Sequence, residues 1–406
     1  MRYTIGQLAE IIDGDRGKNY PKQDEFYPQG YCLFLNTGNV TKEGLTFKEN
    51  QFITKEKDEA LRKGKLKRGD IVYTTRGTVG NAGYYNSNVP YENVRINSGM
   101  VILRANGEIV DARFLYQILK SEYYRPYFKQ YCTGSAQPQL PIKNFSQIYL
   151  NVPDIKTQHR IADILSAYDE LIENNQKQIK LLEEAAQRLY KEWFVDLRFP
   201  GHENTKIVDG VPEGWQYEKL GDLVKTTSGG TPSRRKSEYY VNGNIRWIKT
   251  KELNDRFIFE TEEHITEDAV KNSSAKVLPE GALIVAMYGA TIGKIGITAA
   301  EMACNQACCA FISFDDMISK EYLYCWLMDN REYLVSQGKG AAQSNLSQEM
   351  IRNFSLLCPD KKVIKNFTEI VTTMLENKRV LENKILMLSK ARDDLLPKLM
   401  SGEVEV

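Results

Sequence analysis

Two stretches of this chain carry apolar residues at alternating steps of four and three. In the first, Ile161, Leu165, Tyr168, Ile172, Ile179, Leu182, Ala186, Leu189 and Trp193 fall on one stripe, with Asn175 filling the remaining place. In the second, Phe367, Val371, Met374, Leu381, Ile385, Leu388, Leu395 and Leu399 do the same, interrupted by Lys378 and Arg392. This spacing keeps the apolar side chains on one helical face and is the seam of a coiled coil. It predicts one helix from near Thr157 to near Val195 and a second ending near Leu399, each of roughly 38 residues and about 57 Å. A lone helix of this kind would leave its stripe in water. Packing the two antiparallel is the economical solution, because each joins a globular domain. Asn175, Lys378 and Arg392 are candidates for register control or for contact with a partner's helices.

The second stripe is a copy of the first. Residues 131–193 and 337–399 align at a constant offset of 206 without a gap. Gly134, Gln137 and Leu140 return as Gly340, Gln343 and Leu346, and Pro153 and Asp154 return as Pro359 and Asp360. Upstream, "LKRGDIVYTTRGTVG" (66–80) reads against "LPEGALIVAMYGATIG" (278–293), "INSGMVIL" (96–103) against "CNQACCAF" (304–311), and "TIGQLAEIIDG" (4–14) against "KLGDLVKTTSG" (219–229). A repeat of half the chain is a domain duplication and not a solenoid. The order is mixed domain, long helix, mixed domain, long helix, with pseudo-two-fold symmetry. The fold class is therefore α+β: two similar mixed α/β domains joined by two long antiparallel coiled-coil helices.

Within each copy, short apolar runs predict strands at 31–35, 70–74 and 100–103 and then at 245–248, 282–287 and 310–314. Helices are predicted at 111–122 and 320–328. Between them lie loops rich in Gly, Ser, Thr, Asn and Gln, "LNTGNV" (35–40), "TSGGTPSRRKS" (227–237), "GSAQPQ" and "GAAQSN". Such side chains suit base edges and phosphates, though any surface loop resembles them. Their recurrence at matched places in both copies favours the functional reading.

Composition narrows the class. The 406 residues leave room for two ordinary domains. With 26% charged residues and no signal-peptide core, a soluble cytoplasmic protein without a membrane partner is expected. Seven cysteines, an odd number, suit a reduced compartment. Net charge is uneven: residues 1–150 carry 21 Lys+Arg against 15 Asp+Glu, whereas residues 200–359 carry 17 against 21. Bulk charge suits the first domain to a polyanion, while the second must rely on local patches such as Arg234, Arg235 and Lys236.

Several chemistries lack their residues. There is no Gly-rich cofactor loop with an "NPPY"-like tetrapeptide for adenine methylation, and "GATIGK" (289–294) lacks Walker A spacing. Three scattered histidines, His159, His202 and His264, give metal sites or triads little to use. Cys304, Cys308 and Cys309 suggest a metal knuckle, but copy one has Ile96, Met100 and Val101 there, which makes them core residues. Pro359 and Asp360 followed by "ENK" (376–378) mimic a nuclease motif, but the triplet lies on a predicted helix instead of in a metal pocket.

Taken together, "GWQYEKLGDLVKTTSGGTPSRRKSEYYVNGNIRWI", "GATIGKIGI", "GAAQSNLS", the "P…QHRIADILSAYDELIENN" helix and the closing "LLPKLMSGEV" resemble the specificity subunit of Type I restriction–modification systems. The likeness spans essentially the whole chain, although "GDRGKNYP" replaces the "SGGTPS" loop in the first domain. It implies target-recognition domains at 1–153 and, with a linker, at 200–359, and spacer helices at 154–199 and 360–406. Each domain would read half of a bipartite, asymmetric site in double-stranded DNA, with the helices setting the gap. Two modification subunits, carrying S-adenosylmethionine and the adenine-N6 methyltransferase centre, would dock on the chain. Restriction subunits using ATP and Mg would join them. The chain itself would be non-catalytic and hold no cofactor or metal. The alternatives are a single-chain methyltransferase or nuclease, and a coiled-coil tether without sequence specificity.

For the DNA contacts, Lys65, Lys67, Arg68 and Arg76 are the phosphate candidates in the first domain, with Asn36, Thr37, Gln137 and Gln139 as base readers. In the second, Arg234, Arg235, Lys236, Lys249 and Lys294 are the phosphate candidates, and Tyr288, Gln343 and Asn345 the candidate base readers.

Overall fold

A computed structural model describes residues 1–134, 137–338 and 345–405. The chain divides into two compact units, Met1–Ile172 with Met387–Val406, and Glu173–Leu386.

The first unit is built on two sheets. Strands β1 (Ala9–Asp13), β2 (Cys32–Leu35), β3 (Phe52–Ile53), β4 (Ile71–Thr74), β5 (Ala82–Tyr84), β6 (Val94–Ile96) and β7 (Met100–Ala105) precede helix α1 (Ala112–Lys120). One sheet has the order β1-β7-β4-β5, antiparallel throughout, and the other has β3-β2-β6, with β2 and β6 parallel. Alternation along the strands decides which layer each side chain enters. Ile71, Tyr73, Val101 and Leu103 join the core that holds Phe114, Leu115 and Ile118 of α1. Val72, Met100 and Ile102 face the other way, toward Leu33, Leu35, Val94 and Ile96 of the smaller sheet. Both faces of the central strands are therefore buried, which is why 70–74 and 100–103 read as continuous apolar runs. Asp111 caps α1, accepting from the N–H groups of Arg113 and Phe114 at 2.7 and 3.0 Å.

The helix α2 spans Ile155–Tyr190, and its last turn widens to a π-helical one at Lys191–Val195. It lends its first half to the first unit and its second half to the second.

The second unit repeats the plan with one further strand per sheet: β8 (Val224–Ser228), β9 (Ile245–Ile248), β10 (Arg256–Ile258), β11 (His264–Ile265), β12 (Val277–Leu278), β13 (Leu283–Ala286), β14 (Ile295–Thr298), β15 (Met302–Cys304) and β16 (Cys308–Phe314), then α3 (Lys320–Asp329) and α4 (Lys361–Ser401). The sheet orders are β8-β16-β13-β14-β10 and β11-β9-β15-β12. The parallel pair β9–β15 reproduces β2–β6. Cys309 enters the helix-facing core, and Cys304 and Cys308 enter the inter-sheet core. All three are fully buried free thiols, as expected of core residues.

The repeated Pro-Asp pair starts each long helix. Asp154 accepts from the N–H groups of Lys156 and Thr157, and Asp360 from that of Lys362. The Asp360 of the apparent nuclease motif is thus a helix cap.

Seam residues enter the cores of their own units. Ile161 and Leu165 are fully buried in the first, together with Leu396 and Leu399 of α4, and Leu395 packs against them. Ile172 is buried as well. In the second unit Phe367 has no exposed surface and lies among the rings of Tyr190, Trp193, Phe194 and Tyr322, 4.9 to 6.5 Å away. Val371 is fully buried beside Leu375, which is more deeply placed than the expected Met374. Leu381 is buried, and Ile179, Leu182, Leu189, Ile385 and Leu388 are half-buried.

The polar interruptions are hubs. Lys378 is 1% exposed and spends all three ammonium protons: on Glu183 of α2 at 2.7 Å, the Asp255 carbonyl at 2.6 Å and the Tyr324 hydroxyl at 3.1 Å. Burial opposes its charge, but Tyr324, Glu183 and Glu382 outweigh that and hold its pKa above the usual lysine value. In the first unit, Asp169 of α2 receives Arg392 of α4 at 2.8 Å and Lys120 and Gln117 of α1 at 2.6 Å. Burial works to protonate Asp169, and Lys120 and Arg392 overcome it, leaving its pKa lowered. Asn175, the third interruption, is buried.

Glu382 differs from these ionised partners. One oxygen accepts the Phe257 N–H at 2.7 Å, while the other lies 3.9 Å from Lys378, too far for a hydrogen bond. Burial pushes its pKa up to about 7 against the pull of Lys378. Between the unfolded carboxyl value of 4.5 and the folded value of about 7, only the unfolded chain releases the proton. The neutral carboxyl therefore contributes fully below pH 4.5, and its contribution is lost as pH rises through 7. Glu382→Gln, which keeps an acceptor for Phe257, is expected to remove that loss. Melting curves from pH 5 to 8 should show the wild type falling relative to the variant by on the order of 2–3 kcal/mol, and parallel curves would refute the assignment.

Candidate nucleic-acid interface

Loops from both sheets meet at one end of each domain, and in the first unit they are tied by backbone bonds. Thr75 and Arg76, just beyond β4, both donate N–H to the Gly99 carbonyl, and Leu140 donates to Thr75 at 2.9 Å. Gln139 pairs with Thr133 and bridges to Arg76. The turn Thr37–Asn39 abuts this group, since a Cβ on Gly99 would lie 2.8 Å from the Thr37 methyl carbon. Asn36 caps that turn by accepting from Gly38 N–H, while its own N–H donates to Asn39. Exposed Arg76, Gln137 and Gln139 and half-buried Asn36 and Thr37 therefore share one face.

The other basic candidates lie elsewhere or are engaged. Lys67 and Arg68 precede β4 and Arg76 follows it, so a four-residue strand separates them. Arg68 clips a loop, donating to the carbonyls of Asn86, Val89 and Tyr91 with its guanidinium 4.3 Å over the Tyr85 ring. Lys65 pairs with Asp58 at 2.5 Å, and buried Arg95 holds the other oxygen of that carboxylate. Lys67 and Arg76 are exposed with no ion pair among the described residues.

The second unit builds the same arrangement. Leu346 donates N–H to the Met287 carbonyl at 2.9 Å, as Leu140 donates to Thr75 in the first unit. Lys249 holds the N-cap position of the turn Thr250–Glu252, the place of Asn36, with its backbone N–H donating to Glu252, and Asn305 accepts from Ala307 N–H as Asn97 accepts from Gly99. Glycines let the loops close. A Cβ on Gly229 would lie 1.7 Å from the Cys304 carbonyl oxygen, and one on Gly230 would lie 2.0 Å from Ser274 Oγ. At the matched place in copy one, a Cβ on Gly14 would lie 2.3 Å from the Asn97 carbonyl.

The loop after Gly230 carries Arg234, Arg235 and Lys236. Arg234 stacks 4.3 Å over Tyr240 and 5.2 Å over Trp247 and pairs with Glu263 at 2.6 Å. Lys236 donates to the Tyr239 hydroxyl at 2.9 Å. Arg235 is exposed with no ion pair among the described residues. Lys249 reaches Glu262 and Glu263 at 3.1 and 2.6 Å. Lys294 is held by Asp255, which also takes Arg331. Burial alone would raise the Asp255 pKa, but these two cations keep it low. Tyr288 and Asn345 are exposed, and Gln343 lies outside the described residues. Thr231 and Gln306, not singled out from the sequence, hydrogen-bond at 2.5 Å on this face. The available signal was the polar "NQ" between two core cysteines.

The arrangement offers donors and acceptors with few unpaired cations, which suits reading base edges more than bulk phosphate attraction. Among the described residues no group of three His, Cys, Asp or Glu could hold a metal ion, and no helix is long and apolar enough to cross a membrane.

Arg76→Ala is expected to lower the slope of log affinity for DNA against log salt by about one unit. Arg68→Ala should leave the slope alone and lower the melting temperature, because that guanidinium is used on its own loop. The reverse pattern would contradict the assignment.

A family model described as Type I restriction modification DNA specificity domain matches residues 1–184 and 212–387. The Type I restriction enzyme MjaIX specificity subunit of Methanocaldococcus jannaschii is 27% identical over 84% of this chain and 78% of its own length. The HindI specificity subunit of Haemophilus influenzae is 27% identical over 98% and 100%. Among solved structures, the Type I restriction–modification S subunit from M. genitalium superposes with a TM-score of 0.58 at 16% identity, covering 98% of this chain and 95% of that one.

Proposed function

Since the chain belongs to the Type I restriction modification DNA specificity family, we propose that it is the DNA-reading subunit of such a system. One observation supports this most: the same loop clamp is built twice, with different side chains at its tip. Gln139, just before the Leu140 that donates to Thr75, stands where Asn345 stands just before the Leu346 that donates to Met287. Matching loop clamps carrying different hydrogen-bonding groups suit two half-sites of different sequence.

On this reading each domain binds one half of a bipartite site in double-stranded DNA, and α2 and α4 form an antiparallel coiled-coil spacer that fixes the gap. Ion pairs within each unit support the antiparallel direction, since Asp169 meets Arg392 early on α2 and late on α4, while Glu183 meets Lys378 further along α2 and earlier on α4. Modification subunits holding S-adenosylmethionine dock on this chain and methylate adenine, and restriction subunits using ATP and Mg complete the cytoplasmic complex. The chain catalyses nothing itself.

Methylome sequencing of a host carrying the chain with its modification subunit tests the reading. Adenine methylation at a bipartite, asymmetric motif, lost when the chain is deleted, is the expected result. A contiguous motif, or methylation that persists without the chain, would overturn it.

A further inference from the structure

Arg234 and Lys249, two of the basic residues on the candidate DNA face of the second unit, are occupied by the domain's own glutamates. Strand β10 leads into "FETEEH" (259–264), and three carboxylates of this segment fall on cations. Glu263 takes Arg234 at 2.6 Å through one oxygen and Lys249 at 2.6 Å through the other. Glu262 takes Lys249 at 3.1 Å and also Lys251. Glu260 takes Arg246 at 2.8 Å. The segment is tied down, since Glu262 N–H donates to Glu252, which also accepts from Lys249 N–H and so closes the turn carrying Lys249 and Lys251. The hydrogen bond from Lys249 and the charge of Arg234 hold Glu263 below the usual carboxylate range, so it is ionised at neutral pH. The groups remain within reach of an incoming ligand, with the side chains of Glu262 and Lys251 60% and 55% exposed.

Among the described residues, the tip of the first unit has no such arrangement. Arg76 is exposed without an ion pair among the described residues, and Asn36, the counterpart of Lys249, is uncharged. The difference agrees with the charge of the two domains, positive in the first and negative in the second.

We propose that segment 260–263 is an internal phosphate mimic, whose carboxylates hold Arg234, Lys249 and Lys251 where a DNA backbone would otherwise bind. The inference rests on the reading of this face as the DNA interface. DNA then gains these cations only by exchanging carboxylate for phosphate. That exchange releases fewer counterions than binding to free cations, so it weakens and flattens the salt-dependent part of binding. Non-specific attraction falls on the first domain, and the second contributes sequence reading.

The test uses the full chain in complex with its modification subunits and a random-sequence DNA duplex, with affinity measured from 50 to 200 mM salt. Glu262→Gln with Glu263→Gln is expected to tighten binding by about tenfold at the lowest salt and to steepen the salt slope by about one to two units. The single Glu262→Gln, at the most exposed of these carboxylates, should move both in the same direction by less, and it decides the matter if the double variant melts early. Arg235→Ala separates the two ideas, because Arg235 has no carboxylate partner among the described residues and should lower the slope by about one unit if this face meets DNA. If Arg235→Ala lowers the slope while the glutamine variants leave affinity and slope unchanged, the mimic is refuted and the interface stands. If none of the variants shifts either quantity, the interface reading of this face fails as well.

Discussion

An ammonium group without access to water must be neutralised where it lies, and Lys378 at 1% exposure fixes the second unit around itself. Its three protons reach α2 through Glu183, the loop before β10 through the Asp255 carbonyl, and α3 through Tyr324. Truncating one partner of such a pair costs about 3–5 kcal/mol because the other is left buried and uncompensated. A helix slipped by one turn would take Lys378 away from all three, so the hub specifies register as well as contact. Asp169 does the same in the first unit with Arg392, Lys120 and Gln117. The hubs are not copies of each other. At the offset of 206, Lys378 corresponds to Ile172 and Asp169 to Leu375. Each half of the duplicated helix is thereby keyed to one setting.

Around those hubs the two domains share a skeleton and differ at their tips. The parallel pairs β2–β6 and β9–β15, the turns after them, the Asn97 and Asn305 hydrogen bonds and the close approach of Gly14 and Gly229 recur. None of these depends on the side chains at Arg76, Tyr288, Gln139 or Asn345. A face whose geometry is set by backbone bonds and glycine contacts can change its hydrogen-bonding groups without disturbing the core, as a reader of different sequences requires.

Much of this was legible in the sequence, because repetition and periodicity are local signals. The strands at 245–248, 282–287 and 310–314 and the helix at 320–328 fall within two residues of the observed β9, β13, β16 and α3. The cysteines of "CNQACC" could be placed in the core by comparing the copies. Long-range pairing was not legible. Lys65 and Arg68 look like phosphate ligands in a row of basic residues, yet Lys65 pairs with Asp58 and three loop carbonyls accept from Arg68. Arg234 and Lys249 likewise meet glutamates between 13 and 29 positions away. The stripe showed that Lys378 and Arg392 interrupt a seam, but nothing in the spacing names Glu183 or Asp169 as partners. Leu375 lies deeper than Met374, which packs at the edge of the same core, because the helix turns 3.6 residues at a time and drifts from the ideal heptad.

If the helices set the distance between two reading faces, a paired insertion will change it. One heptad placed after Asn175 in α2 and one after Leu386 in α4 would preserve seam phase and both hubs. It would lengthen the spacer by about 10 Å at 1.5 Å per residue, or about three base pairs of B-DNA at 3.4 Å each. The measurement is the methylated motif of the insertion variant in a host carrying the modification subunit. The account predicts both half-sites unchanged and the gap between them about three base pairs wider. An active variant with the original gap, or with altered half-site bases, would contradict it.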